Sequence, residues 1–435
     1  MIEPPPFPTP NDCEKQPDAD ATLRDLISHI NDEYLYWSDV KYRAKGSGLG
    51  AEKLWKEVKQ ARAAHDIAAW PDFNLHFSLT DRMQRTCHEF DLNFGGASGA
   101  MECFPQDKLN QELYLASSVM EEAISSSQME GASTTREVAK EMLRSQREPR
   151  DKSQRMILNN YRTIQFISTR KHEPLTTGLL LQVHELMTTG TLDCPEDAGR
   201  FRTHNEIVVG NSITGEIVHR PPRHECLPAF AQNLCVFFNT STSATFIHPL
   251  IKGFIIHFLI AYYHPFADGN GRTARAMFYW YMLKENYSLV EYLSISHIIY
   301  QTKARYEKAF LYTECDGNDL GYFITYHLDV LDKAIERLKK YLQKKQAERK
   351  RADRFMHLDG ISRQQAEIIR RFHDEGDISL EAKEVAAHFH VSRVTAKSYL
   401  DGLVAKNLLK RIQPDGRTHA YIRSENFDHI VRNLP

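Results

Sequence analysis

Residues 264–275 read "HPFADGNGRTAR", and the stretches on either side set what they are. Upstream, "PLIKGFIIHFLIAYY" puts Phe254, Ile255, Phe258, Leu259 and Tyr262 on one helical face, and downstream "RTARAMFYWYMLKE" returns to a helical period. The twelve residues therefore form a loop between two apolar helices. Gly269 and Gly271 permit close approach of the main chain to a ligand, and Asn270 tolerates left-handed backbone. N–H groups at the start of the second helix make an anion nest suited to phosphate oxygens. Asp268 offers a hard oxygen ligand for Mg²⁺, while Arg272 and Arg275, one turn apart, can meet phosphate charge. His264 is the general-base candidate of the stretch, with an ordinary pKa of about 6.5. The structural alternative is a glycine-rich turn whose histidine caps the first helix.

Composition narrows the classes around this loop. The 435 residues exceed one usual core, so two or three domains are expected. A net charge of −2 with 26% charged and 42% hydrophobic residues excludes a wholly disordered chain and a global polycation. Any nucleic-acid binding must be local. Seven scattered cysteines without a CxxC pair argue against a disulfide framework or a thiolate zinc site and fit a cytoplasmic setting. Nothing resembles a signal peptide, and the run "GFIIHFLIAYY" is far short of the ~20 residues of a membrane helix, so no membrane partner is expected; export by a machine that reads other signals stays open.

Along the chain, residues 1–20 are rich in proline and acid and read as a disordered tail. A helical N-terminal domain follows at 21–105, with periods in "ATLRDLISHINDEYLYW", "AEKLWKEVKQARAAHDIAAW" and Leu79–Leu92, before the linker "NFGGASGAMECFP". Residues 106–350 are dominated by helical periods that end in a charged spacer helix, with one break at Arg200–Arg220, where two β-favouring runs flank "GNSITG" as a hairpin. Residues 361–425 carry two helices around a tight turn at Val391–Ser392, then two short strands around Pro-Asp-Gly, which is the winged helix-turn-helix pattern. The fold class is mainly α.

Residues 264–275 match, without a departure, the HPFx(D/E)GNGRxxR signature of Fic domains, a family whose members mostly transfer AMP from ATP to a protein hydroxyl. "LQVHELM", "AGRFRT", the hairpin and "HPLIKGFIIHFLIAYY" also resemble the Fic core, over about 106–330. The resemblance implies a protein adenylyltransferase, a nucleotidyltransferase that uses ATP and Mg²⁺. His264 is implied as catalytic base, Asp268 as the metal ligand, and Gly269, Asn270 and Gly271 as holders of the α- and β-phosphates. Arg272 would neutralise the diphosphate and Arg275 would hold the γ-phosphate. The hairpin resembles the family's flap, which implies nucleotide contacts near Val209, Gly210 and His219. Tyr306, in "ARYEKAF", matches an aromatic of the adenine pocket, and a buried core tyrosine is the alternative.

The stretch "SSSQMEG" ends a helical run, 108–131, whose apolar residues Leu113, Ala116, Met120, Ala123 and Ile124 keep helical spacing. Glu130 stands where the helix dipole disfavours a carboxylate, just before the helix-stopping Gly131. Ser126, Glu130 and Gly131 match the (S/T)xxxE(G/N) pattern of autoinhibited Fic proteins, which implies that Glu130 pairs with Arg275 and blocks the γ-phosphate's anchor. In some relatives the same glutamate aligns water for de-AMPylation.

Other classes stay in view. Arg393, Lys397, Lys410, Arg411 and Arg417, with Asp401 and Asp415 among them, suit either DNA binding, with the Fic core as sensor, or a protein-docking module. Twenty histidines invite metal hydrolysis, yet HExxH is missing, as is a P-loop. UMP or phosphocholine donors occur in isolated relatives. The expected partners are ATP and a protein substrate, the chain itself included, and relatives often form homodimers.

Overall fold

The computed structural model describes residues 2–6, 21–46, 48–70, 72–95, 108–210, 215–240, 245–353, 355, 358, 360–375, 378–413 and 419–432. It is mainly helical and divides into two compact units, Met1–Leu338 and Lys339–Pro435. Among the described residues no helix is long and apolar enough to cross a membrane.

In the first unit, α1 (Ala21–Asp32), α2 (Trp37–Ala44) and α3 (Ala51–Ala63) precede a hairpin of β1 (Asp66–Trp70) and β2 (Leu75–Ser78), then α4 (Asp81–Phe94). The run "AHDIAAW", expected as helix, thus contains a strand. Its Ile67 and Ala68 pair with Phe77 and His76, and Trp70 is buried against aromatic rings of the core, so tertiary pairing overrides helix propensity here. Part of the expected disordered tail is also placed: Tyr36 Oη donates to the Glu3 carbonyl at 2.9 Å and Trp55 Nε1 to the Pro6 carbonyl at 3.2 Å. Buried aromatic donors need acceptors, and the carbonyls of a proline-rich segment supply them. Residues 7–20 and 96–107, with most of the expected linker, lie outside the described residues.

The helices continue with α5 (Lys108–Met129), α6 (Arg136–Arg144), α7 (Lys152–Thr169) and α8 (Thr177–Thr188). The short hairpin of β3 (Val209–Gly210) and β4 (Ile217–His219) stands where the sequence puts one, with its turn at 211–214 outside the described residues. Next come α9 (Leu227–Asn239), α10 (Pro249–Tyr263), α11 (Asn270–Lys284), α12 (Ile295–Gln301), α13 (Lys303–Cys315) and α14 (Gly321–Asp353). Helices α10 and α11 are buried on almost every face, as a central pair must be. A Cβ at Gly253 would press Met282 Sδ at 3.0 Å and Phe278 at 3.1 Å, so glycine sets their close crossing. Side-chain caps start four of these helices: Thr80, Thr135, Asp151 and Thr176 accept from the first turns of α4, α6, α7 and α8.

A buried charge network joins the N-terminal helices to this core, so the expected separate domain at 21–105 belongs to the first compact unit. Arg62 of α3, 3% exposed, donates to Asn31 Oδ1, the Leu35 carbonyl and Tyr322 Oη at 3.0, 2.9 and 2.8 Å. Lys59 reaches Asp316 and Asp319 at 2.9 and 3.2 Å, and Tyr34 Oη donates to Asp319 at 2.6 Å. Burial opposes charge on Asp319, yet Lys59 and Arg62 hold it below the usual carboxylate range. The Tyr34 ring lies against Gly321, where a Cβ would overlap it.

The second unit contains α15 (Arg363–Glu375), β5 (Leu380–Glu381), α16 (Ala382–Phe389), α17 (Arg393–Ala405), β6 (Leu409–Ile412), β7 (Ala420–Arg423) and α18 (Phe427–Arg432), with antiparallel strands in the order β5-β7-β6. Its core gathers Ile369, Phe372, Leu400, Leu403 and Tyr421. Arg393 and Lys397 are exposed on α17 beside Val394, Lys410 faces Glu425 at 3.8 Å, Arg411 is exposed, and Arg417 lies outside the described residues.

Replacing Arg62 by Ala leaves two buried aspartates short of a cation, so denaturant titration should show a loss of about 3 kcal/mol or more. Arg62→Lys should recover only part, because an ammonium lacks the fork that serves three acceptors. A loss below about 1 kcal/mol for the Ala variant would contradict this account.

Candidate active site

The loop between α10 and α11 contains two left-handed residues, His264 (φ 46°) and Gly269 (φ 83°). His264 closes α10, with its N–H on the Ile260 carbonyl at 3.1 Å. Left-handed backbone is uncommon for a residue with a Cβ and persists where neighbours enforce it. The enforcing neighbour is Arg202, 5% exposed, whose Nε donates to the His264 carbonyl at 2.9 Å and whose Nη2 donates to the Tyr263 and Pro222 carbonyls. Its own N–H bonds the Pro265 carbonyl at 2.9 Å. The His264 Nδ1 lies 3.0 Å from the Ala261 carbonyl, which only accepts. Nδ1 therefore carries the proton and Nε2 the lone pair. Burial lowers the imidazole's pKa below its ordinary value, which keeps that lone pair free at neutral pH.

Two further side chains hold the turn. Asn270 opens α11, and its Oδ1 accepts from the Phe266 N–H while its Nδ2 donates to the Phe266 carbonyl, both at 2.9 Å. This corrects the expectation for Asn270: it is helical, and its amide is spent on main chain, so only its backbone N–H is offered to phosphate. His184 of α8 accepts from the Gly199 N–H at 3.1 Å through Nδ1 and donates to the Asp268 carbonyl at 2.8 Å through Nε2. Burial takes its pKa to about 4, so it stays neutral, and its ring stacks on Phe266 at 3.7 Å. A Cβ at Gly269 would meet Thr188 Cγ2 at 2.6 Å and His184 at 3.4 Å, which together with its positive φ makes glycine the fitting residue.

The arginines point inward from α11. Arg272, with no exposed surface, donates from Nη1 to the Met187 carbonyl at 3.2 Å, while its Nη2 stands 3.7 Å from Asp268 Oδ2, so Nε and Nη2 have no hydrogen-bond partner. Unpaired buried donors are costly, so such atoms beside a helix N-terminus mark a place for an anion. Arg275, 1% exposed, is served by the end of α5: Nε donates to Ser126 Oγ at 2.9 Å, and Nη2 to the Ser126 carbonyl at 3.0 Å and to Glu130 Oε1 at 2.9 Å. Its Nη1 is unpartnered. Gly131 (φ 93°) ends the helix, with the Ala132 N–H turned back to the Ser127 carbonyl at 3.0 Å. Burial works against the Glu130 charge, yet Arg275 beside it brings its pKa below the usual value. A Cβ on Gly271 would fall on Glu130 Oε1, so the second glycine of the loop makes room for the carboxylate.

For a divalent cation the chemistry is a single carboxylate, that of Asp268, 57% exposed at the rim beside the unpaired Arg272 donors. No group of three or more His, Cys, Asp or Glu suited to a metal occurs among the described residues. One carboxylate plus phosphate oxygens and water is a set that Mg²⁺ accepts.

The hairpin and Tyr306 lie beside the loop, on α10 and α13. His219 sends Nε2 to the Tyr262 carbonyl at 2.7 Å and Nδ1 to Glu314 at 2.9 Å, so its ring anchors the hairpin to α10 and α13, and both nitrogens are engaged. Val209 pairs with His219, and Gly210 with Ile217. Tyr306, half-buried, places its hydroxyl 3.0 Å from His257 Nε2 and beside Arg275, packed among Phe310, Phe323 and His327. His184 in "LQVHELM" and Arg202 in "AGRFRT" hold the loop in place, roles that the sequence does not show. A charged or polar side chain inside an apolar or glycine-flanked run is the available signal, and it does not name the partner.

The sequence profile described as the Fic/DOC family matches residues 174–282. Protein adenylyltransferase Fic of Drosophila melanogaster is 30% identical over 113 residues, 26% of this chain and 21% of that protein. Protein adenylyltransferase fic-1 of Caenorhabditis elegans is 28% identical over 119 residues, 27% of this chain and 21% of that protein. The chain thus spans about a fifth of the length of these curated relatives. Among solved structures, a Fic family protein from Desulfovibrio desulfuricans superposes with a TM-score of 0.53 at 21% identity, covering 80% of this chain and 98% of the other. A portion of Fic-1 from Caenorhabditis elegans gives 0.53 at 17%, covering 74% and 86%. Such identities speak for the fold. With the complete signature seated between α10 and α11, this chain contains a Fic domain.

Proposed function

We propose that this chain transfers AMP from ATP to a hydroxyl of a protein, and that Glu130 holds it in check. The observation that carries the reading is the pairing of Arg275 with Ser126 and Glu130 across Gly271, next to a histidine whose Nε2 lone pair is free. The ATP phosphates lie along the N-terminus of α11, against the unpaired Nε and Nη2 of Arg272. His264 Nε2 takes the proton of the target hydroxyl as its oxygen bonds to the α-phosphorus. The bond from that phosphorus to the diphosphate breaks, and Arg272 stabilises the leaving charge. Asp268 would hold Mg²⁺, which supplies charge neutralisation on the phosphates. Arg275 is the remaining cation for a γ-phosphate, and Glu130 occupies it. A partly dry Arg–carboxylate contact couples by about 1.5 kcal/mol or more, and each 1.36 kcal/mol is about tenfold in rate.

A second reading rests on Glu130 itself. Its side chain is 31% exposed and close enough to His264 to act on that imidazole's charge balance. A carboxylate so placed can align water on an AMP–protein bond, which gives removal as well as addition.

With labelled ATP and cell lysate, Glu130→Gly should raise AMP incorporation at least tenfold and His264→Ala should abolish it; equal silence of parent and Glu130→Gly on every target, itself included, rejects the inhibition account. Because burial lowers the His264 pKa, the acid limb of the Glu130→Gly rate should fall below pH 6.5, where the base becomes protonated; a limb above pH 6.5 contradicts the assignment. For the second reading, parent protein incubated with pre-modified target should release AMP, and the Glu130→Gly protein should not.

A further inference from the structure

The hairpin β1–β2 turns through Asp72–Asn74, where Phe73 (φ 61°) and Asn74 (φ 50°) are both left-handed. A bulky aromatic residue is an outlier in that region, and such backbone survives where surroundings over-determine it and often where function needs it. The tip is pinned on both sides. Asn318 Nδ2 donates to the Phe73 carbonyl at 2.6 Å, and the Leu320 N–H bonds the His76 carbonyl at 2.7 Å. Trp70 Nε1 donates to Tyr263 Oη at 3.2 Å, and that hydroxyl donates to Asp72 Oδ2 at 3.4 Å. All this order presents an apolar ring that is still 43% exposed.

Its position explains the display. The Phe73 ring meets Tyr262 edge-on at 5.8 Å and Tyr263 at 5.6 Å, the two residues just before His264. Tyr262 lies 4.8 Å from the ring of His219, which ends the β3–β4 hairpin and is near enough to His264 to influence its charge. On that hairpin Val208 and Ile217 are also exposed. An apolar surface of Phe73 and Tyr262 therefore lies at the end of α10 just before the base, with His219 of the hairpin on its far side. Asp72 and Glu314 bring negative charge to its edge, which opposes an acidic neighbour.

Resting on the transferase reading, we propose that Phe73 and Tyr262 seat an apolar side chain of the protein segment being modified, so that Phe73 of the N-terminal hairpin is a specificity-determining residue. An extended segment advances about 3.3 Å per residue and alternates its faces. One flanking side chain at a fixed offset from the acceptor hydroxyl is therefore selected.

The test uses the full-length Glu130→Gly protein, ATP labelled at the α-phosphate, and dodecapeptides with a central Thr or Tyr. Each flanking position is varied through Leu, Phe, Lys, Asp and Gly. Leu or Phe at one offset should be favoured at least tenfold over Gly and Asp. Adding Phe73→Ala should erase that preference while the KM for ATP and the melting temperature hold, and adding Phe73→Leu should keep part of it. An unchanged preference in the Phe73→Ala protein overturns the proposal, as does a parallel loss of ATP affinity or of folding. If Glu130→Gly labels no peptide at all, the transferase reading fails first and this inference fails with it.

Discussion

Arg275 is a guanidinium with 1% of its surface exposed, and a buried cation must be paired. Its partners come from the last turn of α5, where the helix has a carbonyl to spare at Ser126, a hydroxyl on the same residue and a carboxylate one turn on. The helix end is electrically negative, which makes it a poor place for Glu130 and a good one for a cation. Arg275 resolves both. Gly131 turns the chain away and Gly271 leaves room for the carboxylate, so two glycines far apart in sequence serve one contact.

Elsewhere α5 is held so that this end stays in place. Glu122 accepts from the Ser296 N–H at 3.0 Å and Ser294 Oγ at 3.1 Å, at the start of α12. On the preceding residue, Glu121 meets Lys140 of α6 and His297 of α12, each at 3.1 Å. The loop between α10 and α11 shows a similar economy of polar groups. Arg202, His184 and Asn270 satisfy its main chain and hold two left-handed residues, while Arg272 keeps two donors without a hydrogen bond. In a loop otherwise satisfied, those two donors are where a phosphate gains most.

Much of this was legible in the residues. The glycines, the arginine pair and the histidine of "HPFADGNGRTAR" identify an anion-binding turn between apolar helices, and the helices stand where the periodicity puts them. The strand at Asp66–Trp70 was not legible, because its apolar residues suit a helix until β2 offers hydrogen bonds and the core aromatics cover Trp70. His219 and Asn270 carry the residue types of ligand contacts, yet each is satisfied by main chain or a carboxylate of this protein. Residue type states what a group can bond to, and only packing states what lies within 3 Å.

Sequence order alone dictates the local chemistry: which turn can cradle phosphate, which nitrogen types can take a proton, where α5 must stop. It also marks Glu130 as misplaced for its own helix. Folding supplies what spacing along a chain cannot encode, namely that a carboxylate and a guanidinium 145 positions apart come to 2.9 Å. The same holds for Phe73, whose hairpin is tied to the helix end before His264 by Trp70 on Tyr263 and to the 318–320 turn by Asn318 and Leu320, while Arg62 and Lys59 join the N-terminal helices to Asp316 and Asp319. Buried charge finds its partner across any sequence distance, and that pairing is settled in three dimensions.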